Sequence, residues 1–263
     1  MINLNPQFPT PQHARAADAI RDLFAPDPAV DSVLLMGSTA RGKASPDSCL
    51  DILILCRPEA LAGQRARLNA LWQTHYPSDP VYTDLRRVGV FSQVDFEFID
   101  GSFDPANHSH GWTSGADEFE LEVGNHLAYS VPLGQDGPYH QELCARWLPY
   151  YDEDLARARL AMVTGYCRNN LAHIPLYAPR GLYFQCFKRL YHAFEEFLQA
   201  LFISRRVYPI AYDKWVREEV VDILGLPQLY AQLPGLLEVQ PFESQRVVEC
   251  ARALESLLVE YGL

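Results

Sequence analysis

Residues 33–55 read VLLMGSTARGKASPDSCLDILIL, and the fold is decided in this stretch. An apolar run, Val33 to Met36, stops at Gly37-Ser38. A short apolar run of this kind suits a strand buried on both faces. A short helical turn holding Arg41-Gly42 follows, then a loop, then a second strand from Asp51 to Cys56 that is entered through Cys49-Leu50. Glycine lets a backbone approach a phosphate closely, and Ser38 offers a hydroxyl and an amide at a helix start, where anions are favoured. Side chains alternate along a strand, so positions 49 and 51 share a face. Two carboxylates there would hold divalent metals against a triphosphate seated on Gly37-Ser38, the arrangement for in-line phosphoryl transfer.

The flanks extend this unit. Pro11 to Phe24 read as a helix with Ala14, Ala17, Ile20 and Leu23 on one face. Leu61 to His75 is expected to be a helix that Pro77 ends, and Arg87 to Phe91 and Val94 to Ile99 are expected to be strands. The first part is therefore α/β or α+β, with a short mixed sheet. Leu155 to Leu171, Leu182 to Ile203 and Gln245 to Tyr261 carry helical periodicity, so the second part reads as an all-α bundle. The stretch Pro132 to Pro138, with two glycines and two prolines, marks the expected boundary: 1–137 for the first domain and 138–263 for the second.

Composition narrows the function. The chain has 263 residues, 22 basic and 33 acidic side chains, and a formal charge of -11. Coating nucleic acid needs clustered cations, so a polynucleotide partner is disfavoured. Residues 1–140 hold 9 basic and 18 acidic side chains, so the acidity lies in the first part, where it would suit metal ions or a cationic substrate. The six cysteines, at 49, 56, 144, 167, 186 and 250, form no C-x-x-C pair. No apolar run approaches the ~20 residues of a membrane span, and no leader pattern opens the chain. A reduced, cytoplasmic protein is expected.

Met36-Gly37-Ser38, Ala40-Arg41-Gly42, Pro46-Asp47-Ser48 and Asp51-Ile52-Leu53-Ile54 resemble the run that marks the nucleotidyltransferase superfamily, which includes DNA polymerase beta. The resemblance covers about the first 130 residues. It implies transfer of a nucleoside monophosphate from ATP or another NTP to a hydroxyl, with Mg2+ or Mn2+ as the metal. It also implies that Gly37, Ser38 and Arg41 bind the nucleotide, and that Asp51 and a later carboxylate serve as metal ligands and catalytic groups. That carboxylate is Asp95 in Val94-Asp95-Phe96-Glu97-Phe98, with Glu97 as the alternative base.

One departure stands out. The first aspartate of the usual Asp-x-Asp pair falls at Cys49; shifting the frame puts Asp51 first and Leu53 second. Magnesium wants hard oxygen ligands, whereas a thiol is soft. The reading that follows is weakened magnesium binding, in a degenerate member, an enzyme that uses Asp47 or another carboxylate, or a substituted variant.

The helical part is similar to the domain beside such heads in antibiotic-modifying nucleotidyltransferases. That likeness implies that Lys188 or Lys214 reaches the triphosphate and that Tyr212 or Trp215 packs near base or substrate. It also implies a small-molecule acceptor, an amino sugar in the best case. A separate alternative is a head of this type that modifies a partner protein, as one half of a toxin–antitoxin pair. His108-Ser109-His110 lacks a third ligand for a metal site. His126, His173 and His192 read as packing or capping residues.

Overall fold

The computed structural model describes residues 4–105 and 113–263. The expected His108–His110 pair lies outside them. The chain divides into two compact units, residues 1–103 with 123–149, and residues 104–122 with 150–263.

In the first unit, helix α1 (Pro11–Phe24) is capped by Thr10, whose side chain accepts the His13 N–H. Strand β1 (Ser32–Leu35) leads into the one-turn helix α2 (Gly37–Ala40) and then to strand β2 (Leu50–Leu55). Helices α3 (Pro58–Ser78) and α4 (Pro80–Arg86) precede strand β3 (Val94–Ile99). Pro77 lies inside the last turn of α3 rather than beyond it. A proline there forfeits one backbone bond and leaves the preceding turns intact.

The four-stranded sheet has the order β3-β2-β1-β4, where β4 is Val131–Pro132. β1 runs antiparallel to β2, and β2 runs parallel to β3, pairing Asp51 with Asp95. Ile20, Phe24, Leu35, Ile52, Ile54, Leu68 and Phe98 are among the residues that fill the core of this unit.

Two expectations need correction here. Residues 87–91 form a turn, not a strand, because the Asp47 side chain takes the Val90 N–H at 3.1 Å. The Pro132–Pro138 stretch does not release the chain from the first unit. Leu35 pairs with Val131, and Gly137 donates to the Ser32 hydroxyl at 2.9 Å. Asp31 then accepts the Tyr139 and His140 N–H groups, each at 2.9 Å, and so caps helix α6 (Pro138–Trp147).

The second unit holds no strand among its described residues. Helix α5 (Phe119–Val123) runs into a π-helical turn at Gly124–Ala128, where the chain passes back to the first unit. Helix α7 (Glu153–Tyr177) starts at an Asp152 cap and pairs with α8 (Tyr183–Arg205); α9 (Pro227–Leu237) and α10 (Arg246–Glu260) complete the bundle. The aromatic stripe of α8 is core: Leu190, Phe194, Phe197 and Leu201 are buried with Cys167, Leu254 and Leu258. No helix is long and apolar enough to cross a membrane.

Candidate nucleotide site

The antiparallel β1–β2 pair brings the end of β1 and the start of β2 to the same edge of the sheet, and the parallel β2–β3 pair adds the start of β3. Met36 N–H donates to the Asp51 carbonyl at 3.0 Å, which joins the Gly37-Ser38 turn to the acidic strand. Gly37 has φ +67°, and a Cβ built on it would sit 2.0 Å from Asp51 Oδ2. Only glycine meets both conditions, because a side chain would be strained in the left-handed region and would displace the carboxylate. Asp51 therefore rests directly against the backbone of the turn.

Asp95 stands beside Asp51 in the strand register and is exposed. Glu97 shares its face one step further from the turn, opposite Leu53. Val94, Phe96 and Phe98 face the other way, and Phe96 stacks on Trp72 at 4.5 Å between ring centres. Cys49 is half-buried. Its thiol is pushed up to about 12, first by burial, then by its hydrogen bond to the Asp51 carboxylate and by the charges of Asp51 and Asp95. At neutral pH it is a protonated donor, not an anionic ligand.

The loop between Gly42 and Cys49 is fastened from behind. Ser45 N–H donates to the Ser48 hydroxyl at 2.9 Å, and Lys43 N–H to the Ser38 carbonyl at 2.8 Å. His13, fully buried, pairs with Thr10 Oγ1 at 2.8 Å and with the Ser48 carbonyl at 3.0 Å. Asp47 is spent on the Val90 turn, which argues against it as a substitute metal ligand. Sequence reasoning missed His13; its signal was a capping threonine followed three residues later by a histidine in an otherwise apolar helix face.

Gly37, Ser38, Cys49, Asp51 and Asp95 thus meet at one sheet edge, with Arg41, 8% exposed, in the adjoining turn. Lys188 and Lys214 belong to the other unit, both exposed; Lys214 Nζ lies 5.6 Å from the Trp215 ring centre. Tyr212 is a core residue of that unit. His126 is pushed down to about 4 by burial and is neutral at pH 7, in keeping with packing.

Among the described residues no group of three or more His, Cys, Asp or Glu could hold an ion. Magnesium commonly binds through one or two carboxylates plus substrate phosphates. Asp51 and Asp95 fit one such ion carried with a nucleotide, whereas the thiol at 49 leaves a second ion short of an oxygen ligand.

Residues 14–89 match the family described as nucleotidyltransferase domain. The match lies within the first unit and spans the Gly37-Ser38 turn and Asp51 while stopping short of β3. No curated protein matches the chain.

Proposed function

We propose that the head binds ATP or another NTP and moves the nucleoside monophosphate to a hydroxyl of a small-molecule acceptor, with release of pyrophosphate. The observation that carries this reading is the Asp51 carboxylate resting on Gly37 with Asp95 beside it in register. Gly37 and Ser38 would hold the phosphates, with Arg41 nearby. Asp51 and Asp95 would hold the magnesium or manganese ion, which when bound offsets the charge that develops on the phosphates. Asp95, or Glu97 behind it, would take the proton of the acceptor hydroxyl. Lys188 and Lys214 are proposed as triphosphate partners on the likeness to antibiotic-modifying enzymes alone.

An amino-sugar-like acceptor suits the acid excess of residues 1–140. Six free cysteines suit a reducing cytoplasm. A protein acceptor stands behind the small molecule and a polynucleotide behind both, and no membrane partner is proposed.

A second reading is favoured by Cys49: a nucleotide-binding or regulatory module in which transfer is lost. Calorimetry with ATP and magnesium, followed by transfer of labelled nucleotide to amino-sugar acceptors, separates the two. Absence of ATP binding sinks both readings. Binding without transfer to any acceptor supports the module.

A further inference from the structure

The six cysteines are not equivalent. Cys56, Cys167, Cys186 and Cys250 are at most 1% exposed. The thiols of Cys167, Cys186 and Cys250 donate to the backbone carbonyls of Ala193, Ile174 and Gly235. Cys49 donates to the Asp51 carboxylate. Cys144, partly exposed on α6, differs from all of these: its Sγ lies 3.5 Å from His140 Nε2. His140, 5% exposed, has its other ring nitrogen, Nδ1, 2.6 Å from Asp136 Oδ1. A carboxylate on Nδ1 fixes the tautomer, so Nδ1–H donates to Asp136 and Nε2 presents a lone pair to the thiol. A nucleophile on a base that is oriented by a third group is the arrangement that activates thiols and hydroxyls.

We propose that Cys144 is a nucleophilic thiol, assisted by His140 and Asp136, and is the site at which this chain is modified by small-molecule disulfides. In the step, Cys144 Sγ attacks one sulfur of the disulfide while its S–H proton passes to His140 Nε2. The S–S bond breaks, and the departing thiolate takes that proton and leaves as a thiol. The product is a mixed disulfide on α6.

Burial and the charge of Asp136 push the thiol up to about 11, so little free thiolate exists at neutral pH. Proton transfer to His140 during attack removes the need for it, as general-base catalysis does for a hydroxyl. Asp136 is the charged group held against His140; Glu142 on the same helix is bridged at 2.8 Å to Arg57, which precedes α3. Asp31, which caps α6, precedes β1, whereas Gly37 follows it, so the cysteine sits at the opposite end of that strand from the nucleotide turn. The proposal is independent of the nucleotidyl-transfer reading.

The test uses the full chain with oxidised glutathione at neutral pH, and maps the modified cysteine by peptide mass. Cys144 is expected to react first. His140→Gln should slow it about tenfold or more and change the pH dependence of its rate. Asp136→Asn, a change at the surface that keeps the fold if His140→Gln does not, should slow it by a smaller factor. Faster reaction at Cys49, or an unchanged rate and pH profile in both variants, overturns the proposal.

Discussion

The edge of the sheet that carries Asp51 and Asp95 and the acid pair around Arg159 are both built of carboxylates, and they are built differently. In the helical unit Glu120 is fully buried and Arg159 is 3% exposed. The guanidinium reaches Glu120 Oε2 at 2.7 Å and Asp117 Oδ1 at 2.6 Å, and Gln199 and Tyr151 complete the ring around Glu120 at 2.8 and 2.6 Å. Each of these contacts ends on another protein group. At the sheet edge Asp95 and Glu97 are exposed and Cys49 is half-buried. A buried polar network that is fully satisfied rigidifies a fold, whereas exposed carboxylates such as Asp95 and Glu97 can reach a ligand. The strongest displacement of titration lies in the helical unit, where burial drives Tyr151 and Tyr212 far upward, and not at the candidate site. Perturbed titration alone points to the helical unit and away from the Gly37-Ser38 turn.

The largest expected effect breaks the buried member of the pair. Arg159→Met leaves Glu120 and Asp117 without their cation, and removing one partner of a buried ion pair costs about 3–5 kcal/mol. Urea unfolding followed by circular dichroism should show the helical transition at a clearly lower midpoint. A loss below about 1 kcal/mol would mean that the carboxylates find another partner or protonate cheaply.

Next is the exposed member. Gly37→Ala puts a Cβ where Asp51 Oδ2 stands and forces a left-handed alanine. A cost of more than about 1 kcal/mol in stability is expected, together with loss of nucleotide binding measured by calorimetry. Unchanged binding would show that Asp51 does not need its seat on the turn.

Cys49→Asp sharpens the comparison instead of breaking it. It replaces the thiol that donates to Asp51 with a second carboxylate, and should strengthen magnesium-dependent nucleotide binding about tenfold, or ~1.4 kcal/mol. No change in calorimetry would place the missing ligand elsewhere than position 49.

The two regions were unequally legible. The head was written locally: an apolar strand, Gly-Ser, a polar loop and a second apolar strand lie within residues 33–55, and β1, α2 and β2 follow them within a residue or two. The pairing of Asp51 with Asp95 needed the parallel register of β2 and β3, which sequence could suggest only through the matching alternation around Asp95 and Glu97. The network around Arg159 could not be read, because its acids lie 39 and 42 residues upstream in a segment without periodicity. The turn at residues 87–91 was misread for a related reason: what keeps it from pairing is Asp47, 43 residues earlier. Pro77, expected to end its helix, lies inside it, and Pro175 lies inside α7 in the same way, since a last-turn proline removes little.

The gentlest effect concerns a second buried acid of the helical unit and reads out as a slope. Glu196 is 1% exposed, and burial pushes its carboxyl up to about 8, against Asn170, which donates to both of its oxygens at 2.9 and 3.0 Å and favours the charged form. In the unfolded chain the same group titrates near 4.5. A carboxyl raised in the folded state binds its proton more tightly there, so its contribution to stability is complete below about 4.5 and is lost as pH rises through about 8. One such group gives a slope of at most about 1.4 kcal/mol per pH unit. The Asn170 donors, by holding the charged form, narrow the window over which that slope acts. The helical unit should therefore melt earlier at pH 8.5 than at pH 5.5, and Glu196→Gln should flatten that difference. If the slope survives the substitution, the titrating group lies elsewhere. Glu195 is the first to examine, because it sits on the same helix and is pushed up to about 7 by burial and Asp213.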